Sequence, residues 1–218
     1  SHLALIGAIG DCQENNGFDL LNNRILSDAV EQSLVSVSRG LCLFGIQSRP
    51  LHKIIEYCDN PYLNGLTGSE SNCIQFLCSL GINPKIGNEW KKYFDLSEDE
   101  SKKLTEGLLI RAQPGESNKL IGNNYTLLRE DLFSPLRNAR EFSTIINACG
   151  RMGRSSLGVG ICLGDAKSKK DALDNYDEYK REIVSALNWV SRNKKSDKFR
   201  YGKGYMIINA KKEVKHTI

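Results

Sequence analysis

The sequence predicts an α/β protein: a mostly helical N-terminal half followed by a mixed α/β half, with an incomplete sheet at both chain ends. Two observations carry this. Apolar residues recur at spacings of three and four through several long stretches, the signature of helices with one buried face. Shorter, continuous apolar runs at 3–9, 157–163 and 205–208 have the length and composition of buried strands.

In chain order, residues 3–9 form the first such strand, closed by Gly10-Asp11. Residues 24–40 read as a helix with Ile25 and Ala29 on one face and Gly40 as its stop. A short apolar stretch over 41–49 ends at Pro50. Leu51, Ile54, Ile55 and Cys58 then predict a short helix before Asp59-Asn60-Pro61. Residues 69–80 predict another, with Cys73, Phe76, Leu77 and Leu80 on one face and Gly81 as its end. Ser97-Glu98-Asp99-Glu100 is a capping box opening a helix that carries Leu104, Leu108 and Leu109. Residues 113–124 are polar and turn-rich, a natural break. Ser134-Pro135 supplies an N-cap and a first-turn proline, and the helix behind it spaces Leu136, Ala139, Phe142, Ile146 and Cys149 toward a stop at Gly150. Residues 157–163 read as a strand. Residues 168–192 form a long amphipathic helix with Leu173, Tyr176, Tyr179, Ile183, Leu187 and Val190 inward. A hairpin of 205–209 with 213–218 closes the chain. The organisation is 1–23, 24–112 and 125–218. No initiator Met is present, and both terminal apolar runs lack neighbours to pair with, so the expectation is an internal piece of a longer protein.

Composition narrows the class. The 218 residues are 40% hydrophobic and 26% charged, enough for a real core. No apolar run approaches the ~18–20 residues of a membrane span, and no secretory signal is visible. Seven cysteines and three histidines, with no CxxC pair, argue against a disulfide framework or structural zinc and for buried thiols in a reducing cytoplasm. Charge is divided: residues 1–110 hold 9 Lys+Arg against 14 Asp+Glu, a net of −5, and residues 111–218 hold 21 against 12, a net of +9. An anionic partner is therefore expected on the second half and a protein partner on the first.

Three groups of residues can carry chemistry. Asp11, at the end of a strand, suits a hard cation such as Mg²⁺ or Mn²⁺; equally, a terminal Gly-Asp caps a turn. Residues 149–156, Cys-Gly-Arg-Met-Gly-Arg-Ser-Ser, combine two glycines that permit close backbone approach with two forked phosphate donors; the alternative is a helix C-terminus where cations meet the dipole. Arg192, Lys194, Lys195, Lys198, Arg200 and Lys203 crowd into twelve residues, either a phosphate-backbone contact with steep salt dependence or a solvated loop. No Ser-His-Asp arrangement, P-loop or GxGxxG is present.

Leu-Ala-Leu-Ile-Gly-Ala-Ile-Gly-Asp-Cys-Gln (3–13) resembles the last motif of the DHH phosphoesterase domain in archaeal RecJ-like single-stranded-DNA exonucleases. Residues 49–82 resemble the middle region of that family, and the most specific match is Arg-Glu-Phe-Ser-Thr-Ile-Ile-Asn-Ala-Cys-Gly-Arg-Met-Gly-Arg…Gly-Val-Gly-Ile-Cys-Leu-Gly-Asp (140–165). The resemblance implies that 1–23 ends a DHH domain, 24–112 is a helical middle region, and 125–218 leads into a C-terminal DHHA1 domain. It implies Mn²⁺ or Mg²⁺ as cofactor, single-stranded nucleic acid as substrate, cytoplasmic work in DNA repair or replication, and the GINS replication complex as a partner. Carried over residue by residue, Asp11 matches a metal-ligand aspartate, and Asn147, Arg151 and Arg154 lie at or near the nucleic-acid path; Lys194 and Lys195 of the basic cluster are expected to contact nucleic acid as well. The family's earlier aspartate motifs, its Asp-His-His triplet and its Gly-Gly-Gly-His motif are not in this sequence. Three functions follow: an exonuclease of which this chain alone is inactive, a scaffold that docks GINS without catalysis, or a nucleic-acid-binding module acting through the basic half.

Overall fold

The computed structural model describes residues 2–14 and 17–214. The mixed α/β class holds, with helices dominant and the strands gathered into two-stranded sheets. The chain divides into two compact units, 1–143 and 144–218.

The first unit runs α1 (His2–Gly10), α2 (Leu20–Glu31), β1 (Val35–Leu41), α3 (Leu51–Glu56), α4 (Glu70–Ser79), β2 (Lys85–Ile86), β3 (Glu89–Trp90), α5 (Glu98–Arg111) and β4 (Ile121–Leu127). The run at 3–9 is helix, not strand. Leu5, Ile6, Ala8 and Ile9 are buried while Ala4 and Gly7 are exposed, a helical repeat that a run of good helix formers adopts once one face is covered. The helix expected over 24–40 stops at Glu31. Ser33, at φ +53, turns the chain, and its Leu34 amide bonds back to the Ala29 carbonyl at 2.9 Å. The Val-Ser-Val that follows then pairs antiparallel with β4, Val35 opposite Leu127 and Gly40 opposite Gly122. Residues 121–124, part of the polar break in the sequence, are thus the start of a strand. Asn124 is polar there because its side chain bonds Cys42 Sγ and the Leu41 carbonyl, while Asn123 offers Cys42 its backbone carbonyl.

The principal core of this unit lies between Leu41 and Leu120, where Leu51, Ile55, Leu63, Leu77, Ile82 and Leu108 are almost fully buried. The capping box at α5 forms in both directions: Ser97 Oγ accepts from the Glu100 amide at 3.2 Å and Glu100 Oε2 accepts from the Ser97 amide at 3.0 Å. Glu100 also holds the buried Lys91, Nζ to Oε1 at 2.6 Å.

Helix α6 (Ala139–Arg151) carries the chain across the division between the units. Its stop is Gly153, at φ +70, and not Gly150, which lies inside the helix. The second unit continues with α7 (Ser155–Cys162), α8 (Ala166–Asn193) and the hairpin β5 (Phe199–Gly202)–β6 (Tyr205–Ile208). The strand expected over 157–163 is helix α7. Gly158 and Ile161 are buried three residues apart while Val159 and Leu163 are exposed. Its glycines serve helix packing: a Cβ at Gly160 would overlap Ser168 Oγ on α8. On α8 the buried positions are Ala172, Asn175 and Ala186, while Leu187, expected inward, is exposed. The hairpin pairs Phe199 with Ile208, so the partner of 205–208 precedes it. Of the second strand expected over 213–218, Glu213 and Val214 are not in a strand, and 215–218 lie outside the described residues. Among the described residues no helix is long and apolar enough to cross a membrane.

Candidate functional site

Asp11 stands in the turn that ends α1, with its amide bonded to the Gly7 carbonyl at 3.1 Å and its side chain exposed. The expected setting at a strand end is replaced by a helix C-terminus. A carboxylate there faces the negative end of the helix dipole, so it does not stabilise the helix it closes. Its Oδ2 accepts from Gln13 Nε2 at 2.7 Å, and Gln13 is braced in turn by Asn22 of α2 at 2.9 Å. Three residues on, Glu14 ties the same turn to α6 through a bidentate pair with Arg140. Arg140 Nη1 reaches the Asn123 carbonyl of β4 at 3.0 Å as well.

A two-metal centre needs several ligands. Among the described residues no group of three or more His, Cys, Asp or Glu is arranged to hold a metal ion. Asp11 is one carboxylate with one side-chain donor beside it, so the described residues do not by themselves fit such a centre.

In the second unit the arginine motif folds into a corner. Asn147 and Arg151, four residues apart on α6, share one exposed face. Gly153 in the left-handed region lets the Arg154 amide bond back to the Cys149 carbonyl at 2.8 Å, the close of a Schellman-type end. The corner places Arg154 at the N-cap of α7. Its Nη1 donates to Asn175 Oδ1 at 3.1 Å and pairs with Glu178 Oε2 at 2.8 Å. Asn175 is 1% exposed, and its Nδ2 donates to Cys149 Sγ at 3.7 Å. Burial pushes the Cys149 thiol pKa up, so the sulfur stays protonated and acts as a weak acceptor.

Lys194 and Lys195 are exposed just beyond the end of α8, where the Lys194 carbonyl accepts from Tyr201 OH at 2.8 Å. Sixteen residues separate Glu178 from Lys194 along or just past the same helix, about 24 Å at 1.5 Å per residue. The structure therefore gathers Asn147, Arg151 and Arg154 at one corner and leaves the lysine pair at a distance. Asp11 belongs to the other unit. Asn175, Glu178 and Glu14 were not expected from the sequence. Their contacts bridge 21, 24 and 126 residues, beyond any local spacing rule. A cavity of about 430 Å³ beside the start of α5, lined by Tyr93, Phe94, Leu96 and Lys102 among others, contains none of the expected site residues.

Residues 43–121 match the DHH-CID domain, the segment that carries most of the principal core of the first unit. Over 208 residues the chain is 32% identical to an uncharacterized protein, MJ0831, of Methanocaldococcus jannaschii, an overlap covering 95% of this chain and 44% of that protein. The chain thus spans less than half the length of this relative.

Proposed function

We propose, from the DHH-CID match over 43–121, that the protein belongs to the DHH superfamily and is a phosphoesterase of the nuclease kind that acts on single-stranded nucleic acid. The observation that carries the reading is the DHH-CID match over 43–121. The α6–α7 corner supports it chemically. Arg151 and Arg154 are exposed forked donors, the side chains suited to bidentate contact with phosphate oxygens. Asn147 adds a neutral amide on the same face.

In this reading the second unit grips the strand. Arg151 and Arg154 bind the phosphate backbone, and Lys194 and Lys195 add a distant electrostatic contact along it. Asp11 is offered as one ligand to a divalent metal whose remaining ligands are not among the described residues. The metal would supply the activated water of phosphodiester hydrolysis. This chain's own residues bind and orient the backbone.

Fluorescence anisotropy with a labelled single-stranded oligonucleotide and its duplex tests the reading. The expected result is preferential binding of the single strand, weakened about tenfold by Arg151→Ala, the loss of one charge-assisted contact. Equal binding by wild type and Arg151→Ala would contradict it.

A further inference from the structure

We propose that Asn175 is the positioning residue for Arg154, fixing one nitrogen of its guanidinium so that the opposite edge is presented to a phosphodiester; this rests on the nucleic-acid reading above. The buried amide is the starting point. Asn175 sits at 1% exposure in a stripe otherwise made of Ala172 and Ala186. A buried amide costs free energy unless both its ends are bonded, and here both are: Oδ1 takes a hydrogen from Arg154 Nη1, and Nδ2 gives one to Cys149 Sγ. The amide therefore links α6 to the arginine through a buried side chain bonded at both ends.

The guanidinium geometry shows what is left over. Arg154 Nη1 carries two hydrogens, and it meets Asn175 at 3.1 Å and Glu178 at 2.8 Å. The Nε and Nη2 hydrogens form the other fork of the group, and among the described residues nothing bonds them. The side chain is 47% exposed, so that fork is open to solvent. A fork of this kind matches two oxygens of one phosphate. An unanchored surface arginine would lose rotamer freedom on gripping a phosphate; with Nη1 already held, that ordering occurs on folding. Glu178 contributes to the hold while lying on the nitrogen away from the open edge.

Positioning and charge can be separated, because the salt dependence of binding counts charges neutralised whereas affinity at fixed salt also reports geometry. Anisotropy with a single-stranded oligonucleotide is measured across a salt series for wild type, Asn175→Ala, Arg154→Lys and Arg154→Ala. The expected result is that Asn175→Ala and Arg154→Lys each weaken binding about five- to tenfold with the salt slope unchanged. Arg154→Ala weakens binding and lowers the slope by about 0.7. Wild-type affinity in Arg154→Lys, or in a folded Asn175→Ala, overturns the positioning role and leaves the nucleic-acid reading standing. Should far-UV circular dichroism show that Asn175→Ala does not fold, Asn175→Leu, which fills a similar volume without the amide, takes its place with the same two outcomes. Absence of salt-dependent binding by the wild type overturns the nucleic-acid reading, and this inference with it.

Discussion

Arg140 and Glu14 meet fork to fork, Nε to Oε1 at 2.6 Å and Nη2 to Oε2 at 2.9 Å, across 126 residues of sequence. The pair is mostly buried, with Glu14 at 12% and Arg140 at 31% side-chain exposure. It fastens the turn bearing Asp11 to α6. Arg140→Ala leaves Glu14 without its partner in a low-water setting. The expected loss is about 2 kcal/mol of unfolding free energy, read from the urea midpoint. Hydrogen exchange should also accelerate at residues 11–14. An unchanged midpoint would show the pair to be neutral.

Gly153 holds φ +70 where α6 gives way to α7. An L side chain there is strained by roughly 1–2 kcal/mol. Gly153→Ala should lower thermal stability accordingly and, because Arg154 follows directly, weaken oligonucleotide binding. Full stability in that variant would mean the corner tolerates another backbone path.

His52 is 2% exposed, its ring centroid 4.1 Å from that of Trp90 and its Nε2 3.3 Å from Glu70 Oε1. Burial above all, with the neighbouring Lys53 adding to it, holds its pKa below the usual histidine value, against the opposing pull of Glu70 and Glu56. The unfolded chain therefore takes up a proton at about pH 6.5 that the folded chain refuses. Stability contributed by neutral His52 is present above that pH and lost as pH falls toward the folded pKa. Glu141, raised by burial, acts with the opposite sign: the folded state holds its proton to higher pH, and that stability is lost as pH rises. Subtracting the stability profile of His52→Gln from wild type isolates the histidine. The difference should shrink on acidification below about pH 6.5, and a flat difference would refute the account.

Cys58 and Cys73 are buried, with thiols pushed up to about 11 chiefly by burial. Cys12 and Cys78 are exposed. Under native conditions near pH 8 a disulfide reagent should modify Cys12 and Cys78 first and leave Cys58, Cys73 and Cys149 protected until unfolding. Early labelling of Cys58 or Cys73 would mean the first unit opens readily.

Elements with local punctuation were legible in the sequence. Helix α4 ends before Gly81, which takes φ +75, and α5 begins at a capping box whose two bonds both form. Where punctuation was missing, the reading failed. The runs at 3–9 and 157–163 are short and wholly apolar, and such runs carry no usable period. They became helices because α1 buries one face and α7 sets Gly158 against α6 and Gly160 against α8. Residues 34–40 read as a continuation of the preceding helix because Ser33, not a glycine, makes the left-handed turn. The arginines of the candidate site were visible as a motif. Their partners were not: Asn175 and Glu178 look like two ordinary positions on a long helix until α6, α7 and α8 are packed together.

The most direct test of the central claim is the salt dependence of single-stranded oligonucleotide binding by the wild-type chain and by the Arg151→Ala/Arg154→Ala double variant. Each phosphate contact removed from a single strand lowers the slope of log K against log salt by about 0.7, so the double variant should fall by about 1.4 while its circular dichroism stays unchanged. A wild-type slope near zero, or an identical slope in the double variant, would contradict the assignment of this corner to the nucleic-acid backbone.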